Sequence, residues 1–307
     1  MGRKLGRMFS ALLVVLLFVT LAAAAGTYWY LRSYQRTWTL DPLPEEMAFL
    51  VDATPARVAV DSNVELHGWM IRQDGIAPGI WIIPDLGENQ NIWWPLLIVL
   101  AKEGYHVLFV NYRGHAPSKG TFSPDVQVLE HDRLTVQTQM PHWLPRARPL
   151  ALFAHGFGAF WALKAACDLD EIRLLVLEDP VAQPIDRMLL ELEIPFAMTA
   201  SPWYDWWTAS YRWLYGDPKM ASTFACLERK KHLQISYVFI VSHQANPVFT
   251  ATLYQQLPEP KEQIRVPRTL NMGLSQEELE HYLSTVRQTL QRYLPRDVDS
   301  IAITQRH

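Results

Sequence analysis

Residues 149–155 (PLALFAH) make an apolar run of strand length, and residues 157–167 (FGAFWALKAAC) mix small and large apolar side chains in the pattern of a buried helix. Between them, Ala154-His155-Gly156-Phe157-Gly158 leaves room only for a sharp, glycine-bearing turn. A buried strand that turns straight into a buried helix belongs to a sheet covered on both faces, and this constrains the whole chain. The remaining segments agree. Residues 57–60 and 64–72 read as an antiparallel pair around Asp61-Ser62-Asn63. Residues 79–84, 105–112, 172–177 and 235–241 read as strands, 91–103 and 125–140 as helices. Ser275-Gln276-Glu277-Glu278 is a capping box that opens a long amphipathic helix to Tyr293. This alternation predicts an α/β fold with a mostly parallel central sheet and helices on both faces.

The N-terminus obeys a different rule. Arg3, Lys4 and Arg7 precede residues 8–31, which carry no charge and end in Tyr28-Trp29-Tyr30. Such a stretch reaches the ~20 residues that span hydrocarbon, and its aromatic end suits a membrane interface. Ala22-Ala23-Ala24-Ala25-Gly26 also satisfies a signal-peptide cleavage rule. Length and aromatic belt favour an uncleaved transmembrane anchor, with the basic N-terminus in the cytoplasm and the folded domain on the extracytoplasmic side. Arg32 and Arg36 weaken that charge bias without reversing it.

The 307 residues, 49% hydrophobic and 19% charged, have an ordinary globular composition, and a net charge of −3 gives no electrostatic case for nucleic acid. Two cysteines, Cys167 and Cys226, permit one bridge at most; Cys167, in an apolar helix, reads as a buried thiol packing as a small hydrophobe. With no C-x-x-C and no H-E-x-x-H, neither a metal nor another cofactor is expected.

Three segments carry a resemblance. Ile82-Ile83-Pro84-Asp85-Leu86-Gly87-Glu88-Asn89 looks like a strand ending in an H-G-x-G oxyanion loop. Gly104-Tyr105-His106-Val107, Asn111-Tyr112-Arg113-Gly114-His115 and Ser118-Lys119-Gly120 look like a G-Y-x-V…D-x-R-G-x-G-x-S-x-G segment. Residues 154–158 occupy the place of a G-x-S-x-G nucleophile elbow. Over most of residues 60–295 the chain resembles the serine α/β-hydrolase superfamily. The resemblance implies that fold over 57–295, a small helical cap at about 184–232, a spacer at 32–56 and a polar tail at 296–307.

It also implies where a catalytic triad would lie, and the residues there cannot form one. The serine position holds Gly156, the acid position after a strand holds Asn246 in Ser242-His243-Gln244-Ala245-Asn246-Pro247, and the histidine position falls at Asn271. Gly156 has no oxygen to attack a carbonyl, Asn246 has no charge to steady an imidazolium, and Asn271 cannot accept and return a proton. Loss of a triad nucleophile alone costs about 10⁶ in kcat. The oxyanion donors would be the backbone N–H groups of Leu86 and Phe157, which survive any side-chain change and remain able to bind a carboxylate or carbonyl. Asp85 and His243 also depart from the resemblance. Asp179 follows a strand on the same side; His155 is expected to point away from the elbow as a packed or hydrogen-bonded histidine, His115 lies in a nearby loop, and Ser118, Ser201 and Ser242 read as loop serines. No replacement triad emerges.

Residues 201–215 (SPWYDWWTASYRWLY) fall inside the expected cap and include Trp203, Tyr204, Trp206, Trp207 and Trp213. Aromatics at this density either pack the cap on the core or meet a ligand, a protein partner or a membrane interface. Two readings follow. One is a membrane-tethered, catalytically inactive hydrolase-like protein serving as a binding or accessory subunit; the other is an unusual hydrolase acting on an ester, amide or lipid.

Overall fold

A computed structural model describes residues 2–40, 45–88, 90–192 and 202–295. Asn89, Ser201, the tail at 296–307, residues 193–201 of the expected cap and 41–44 of the expected spacer lie outside the described residues.

Two helices, α1 (Gly2–Ser33) and α2 (Glu45–Leu50), precede the sheet. The first strands and helices are β1 (Thr54–Asp61), β2 (Val64–Ile71), β3 (Ala77–Ile83), α3 (Trp94–Lys102), β4 (His106–Val110) and α4 (Val126–Trp143). The elbow region comprises β5 (Ala147–His155), α5 (Gly158–Asp168) and β6 (Ile172–Glu178). Among the described residues, α6 (Pro184–Glu191), α7 (Pro202–Tyr215) and α8 (Met220–Arg229) follow before the next strand. The chain then runs through β7 (Ser236–Val241), α9 (Pro247–Gln256), β8 (Lys261–Arg265) and α10 (Gln276–Tyr293), which opens on the expected capping box. The strands lie in the order β1-β2-β4-β3-β5-β6-β7-β8, with β2 antiparallel to both neighbours and every pair from β4 through β8 parallel.

Register explains why the central strands are apolar throughout. Ile82, Phe153, Val176 and Val238 align across the sheet and face one core; one step along, Ile83, Ala154, Leu177 and Phe239 align and face the other. Period-two alternation with helices on both sides buries every position. The next step aligns His155 with Glu178, so two polar residues enter the face of Phe153 and Val176 at the C-terminal ends of β5 and β6. The polar run of β8 (KEQIR) gave no strand signal because an edge strand with solvent on one side carries charge without penalty.

Two expectations are corrected. Cys167 is not a packed thiol: it forms a disulfide with Cys226 at a Cα separation of 6.0 Å, fastening α8 to the helix behind the elbow. Residues 34–38, expected within a spacer, pack on the domain. Tyr34 is buried, Trp38 stacks on His115 with ring centroids 4.2 Å apart, and the Trp38 N–H donates to the Gly114 carbonyl at 2.7 Å while its own carbonyl accepts from Ala116 at 3.1 Å. The loop at 114–122 meets the Arg36 and Trp38 carbonyls and the Trp38 N–H, so this end of the strip is fastened to the domain.

Residues Leu13–Ser33 of α1 form a helix long and apolar enough to cross a membrane, with a mean hydropathy of 1.8 over its most apolar 18 residues. From Leu13 to Leu21 its apolar side chains are exposed; from Thr27 onward one face (Thr27, Tyr30, Leu31, Tyr34) packs against the domain at helical spacing.

Candidate functional site

The elbow exists. Gly156 sits at φ +50° between β5 and α5, its N–H donating to the Glu178 carbonyl at 2.9 Å and its carbonyl accepting from Val181 at 2.9 Å. Glycine meets this left-handed backbone at no steric cost. Two residues on, a Cβ at Gly158 would run into the Ile83 carbonyl, so α5 leaves the strand as closely as a glycine allows.

The space a nucleophile would use is already filled. A Cβ built on Gly156 would lie 2.6 and 2.7 Å from the two carboxylate oxygens of Asp85. Asp85 Oδ1 accepts the Phe157 N–H at 2.8 Å, so a donor expected to face an oxyanion is bound by the chain's own carboxylate. Arg187 of α6 closes the other side, its Nε donating to both Asp85 oxygens at 3.0 Å and a terminal nitrogen to the Leu86 carbonyl at 3.4 Å. Leu86, expected as the second oxyanion donor, enters this network through that carbonyl. Burial works against the Arg187 charge, and Asp85 and Glu191 more than offset it, leaving its pKa raised. Glu191 lies 3.2 Å from Arg187 and 3.0 Å from Arg36, so a line of alternating charges runs from the chain just beyond α1 to the elbow.

A second polar cluster lies beneath. Glu88 accepts the Asp85 N–H at 2.8 Å with one oxygen and meets His155 Nδ1 with the other. Burial disfavours a charged His155, but Glu88 outweighs it and raises the imidazole to about 10. Glu178, its neighbour in register, is pushed up to about 8 chiefly by burial, with His155 pulling the other way. As expected, His155 is hydrogen-bonded and lies on the sheet face of Phe153, away from the space Asp85 fills. His115 is held near 4 by burial; its Nε2 accepts the Gly87 N–H at 2.9 Å, so it braces the loop that carries Asp85.

The residues expected at the other triad positions serve as backbone fittings. Asn246 caps α9, its side chain accepting from Val248 at 3.0 Å and Phe249 at 3.3 Å. Asn271 is exposed in a short turn and accepts the Thr269 hydroxyl at 2.6 Å. Asp179, at φ +40°, ties β6 to β7 by accepting the Ser242 N–H at 2.8 Å and its hydroxyl at 2.6 Å. Among the described residues no hydrogen bond joins Gly156, Asn246 and Asn271, and no serine, threonine or cysteine side chain is bonded to a histidine ring. Sequence reasoning missed Arg187, Glu88 and Glu178 as parts of the site. Asp85 was visible as a departure from the oxyanion loop, but its aim was not.

The tryptophan-rich segment divides. Tyr204 turns inward, its hydroxyl donating to Asp186 at 2.7 Å, and Trp207 meets the Tyr30 ring edge-on at 5.6 Å. Trp203, Trp206 and Trp213 remain 53, 37 and 81% exposed.

No model of a known protein family and no curated protein sequence matches the chain. Solved structures do. The esterase Pf2001 of Pyrococcus furiosus superposes with a TM-score of 0.59 at 16% identity, over 85% of this chain and 97% of that one. A soluble variant of the monoglyceride lipase of Saccharomyces cerevisiae gives 0.54 at 14% identity, covering 78% and 94%. The dienelactone hydrolase of Anabaena variabilis gives 0.53 at 13% identity, covering 79% and 98%. With its mostly parallel sheet, its elbow between β5 and α5 and its helices on both faces, the chain has the α/β-hydrolase fold.

Proposed function

We propose that this chain is a membrane-tethered pseudoenzyme, an α/β-hydrolase-fold protein without catalysis that serves as a binding or accessory subunit. The observation that carries this reading is Asp85, which fills the space above Gly156 and occupies the Phe157 N–H. An enzyme of this fold needs a nucleophile there and an empty oxyanion site; here an internal anion sits in both places, clamped by Arg187. A substrate carbonyl would have to displace a charge-assisted bond to reach a backbone donor with no nucleophile behind it.

In this reading residues 8–31 are an uncleaved anchor, the N-terminus is cytoplasmic and the domain at 57–295, with its cap at about 184–232, stands outside. Arg3, Lys4 and Arg7 support that direction. So does the Cys167–Cys226 disulfide, which suits an oxidising compartment.

The test is turnover of an activated short-chain ester by the full chain in detergent, with fluorophosphonate labelling, beside the variants Asp85→Gly and Asp85→Gly/Gly156→Ser. The expected result is neither turnover nor label on the native chain or on either variant, since among the described residues no base would stand beside position 156 to activate a serine. Turnover with a labelled native residue overturns the reading in favour of a hydrolase.

A further inference from the structure

We infer that α7 lies in the interfacial layer of the bilayer that α1 crosses, with Trp203, Trp206 and Trp213 seated among the lipid headgroups and setting the domain's orientation on the membrane. This rests on the reading of α1 as the anchor and adds a second, peripheral membrane contact to it.

The argument begins with height. Residues 8–26 form about 28 Å of helix, close to the ~30 Å hydrocarbon thickness. Residues just beyond, Thr27 to Leu31, therefore stand at the headgroup level. The two hydrogen bonds and the ring contact that join α7 to α1 among the described residues fall in that short stretch. Trp206 Nε1 donates to Thr27 Oγ1 at 3.3 Å, the Trp207 ring meets Tyr30, and the Tyr215 hydroxyl donates to the Leu31 carbonyl at 2.9 Å. The 14 residues of α7 thus run beside the anchor where it leaves the hydrocarbon.

The same contacts give the direction in which α7 is turned. Its packed stripe is Tyr204, Trp207, Tyr211, Leu214 and Tyr215. At about 100° per residue, Trp203, Trp206 and Trp213 fall within an arc of about 80° on one side of that stripe, and Asp205 and Arg212 lie together on the other side. Trp206 touches α1 at Thr27 and Trp207 touches it at Tyr30, nearer the domain. The tryptophan side therefore faces the bilayer and the charged side faces away from it. Trp29, 76% exposed, and Tyr28 add two aromatics at the same level on the anchor itself. Indole rings, apolar with one N–H donor, favour this layer.

The test places an environment-sensitive fluorophore on a single introduced cysteine in the full chain, the native pair being disulfide-bonded, and reconstitutes each variant into phosphatidylcholine vesicles. The sites are Trp203→Cys, Trp213→Cys, Asp205→Cys, Arg212→Cys and Val15→Cys. Labels at 203 and 213 are expected to be quenched by a spin label at a shallow acyl position and to resist iodide several-fold better than labels at 205 and 212, while the label at 15 is reached only by a deep spin label. If 15 is deep but 203 and 213 are as open to iodide as 205 and 212, the anchor stands and the inference fails. If 15 is itself open to iodide, the anchor reading fails and takes the inference with it. Protection at 203 and 213 that disappears as the protein is diluted in lipid assigns the face to a second copy of the chain and also overturns it.

Discussion

Asp85 and Gly156 share one volume, and each has a measurable consequence. Gly156→Ser places a Cβ against the Asp85 carboxylate in left-handed backbone; it should lower unfolding stability by about 1–3 kcal/mol, read from thermal unfolding in detergent. Adding Asp85→Gly should recover part of that loss, because the two sites are in contact and their effects are not additive. Asp85→Asn keeps the shape but takes a charge from Arg187, and should cost about 1–3 kcal/mol in the same measurement. The sequence put Gly156, Asn246 and Asn271 where the resemblance expects a triad, because the surrounding motifs fix those positions. It did not show that Asp85 fills the space above Gly156. Arg187 is 102 residues from Asp85 and lies in an amphipathic helix without any motif, so only the fold brings the pair together.

At the level of elements, the apolar strands were legible because burial on both sheet faces writes itself as unbroken hydrophobic runs; β8 and the α9 cap were not, being polar and built on local bonds. The capping box of α10 was readable because its two reciprocal bonds lie within four residues. The disulfide is the element-scale feature that pattern could not decide, as Cys167 sits among apolar neighbours that suit a thiol equally well. It closes a loop of 59 residues, so Cys226→Ser should cost about 2–4 kcal/mol, with α8 the first helix to lose amide protection in hydrogen exchange.

Taken whole, the molecule buries acid–base groups whose protons make stability fall as pH rises. His155, raised to about 10 through Glu88 against the pull of burial, holds a proton that the unfolded chain releases near 6.5; its contribution is complete below 6.5 and lost by about 10. Glu178, raised to about 8 by burial, keeps a proton that the unfolded chain gives up near 4.5, so its contribution declines between those values. Buried His115, held near 4, acts in the opposite sense up to about 6.5; above that, between about 6.5 and 8, His155 and Glu178 act together and the unfolding temperature of the full chain in detergent should drop. Glu178→Gln should flatten the lower part of that curve and, because the Glu178 charge helps to hold the His155 proton, end the decline at a lower pH than in the native chain. The strip from Tyr34 to Trp38, with the buried face of α1 before it, bears on motion. With Tyr34 buried, Trp38 bonded on both backbone sides and Arg36 paired to Glu191, α1 is tied closely to the sheet. If α1 is the anchor proposed above, helix and domain form one lever: a tilt of about 20°, ordinary for a membrane helix, would become an equal rotation of the sheet and swing its far edge toward or away from whatever stands beside it.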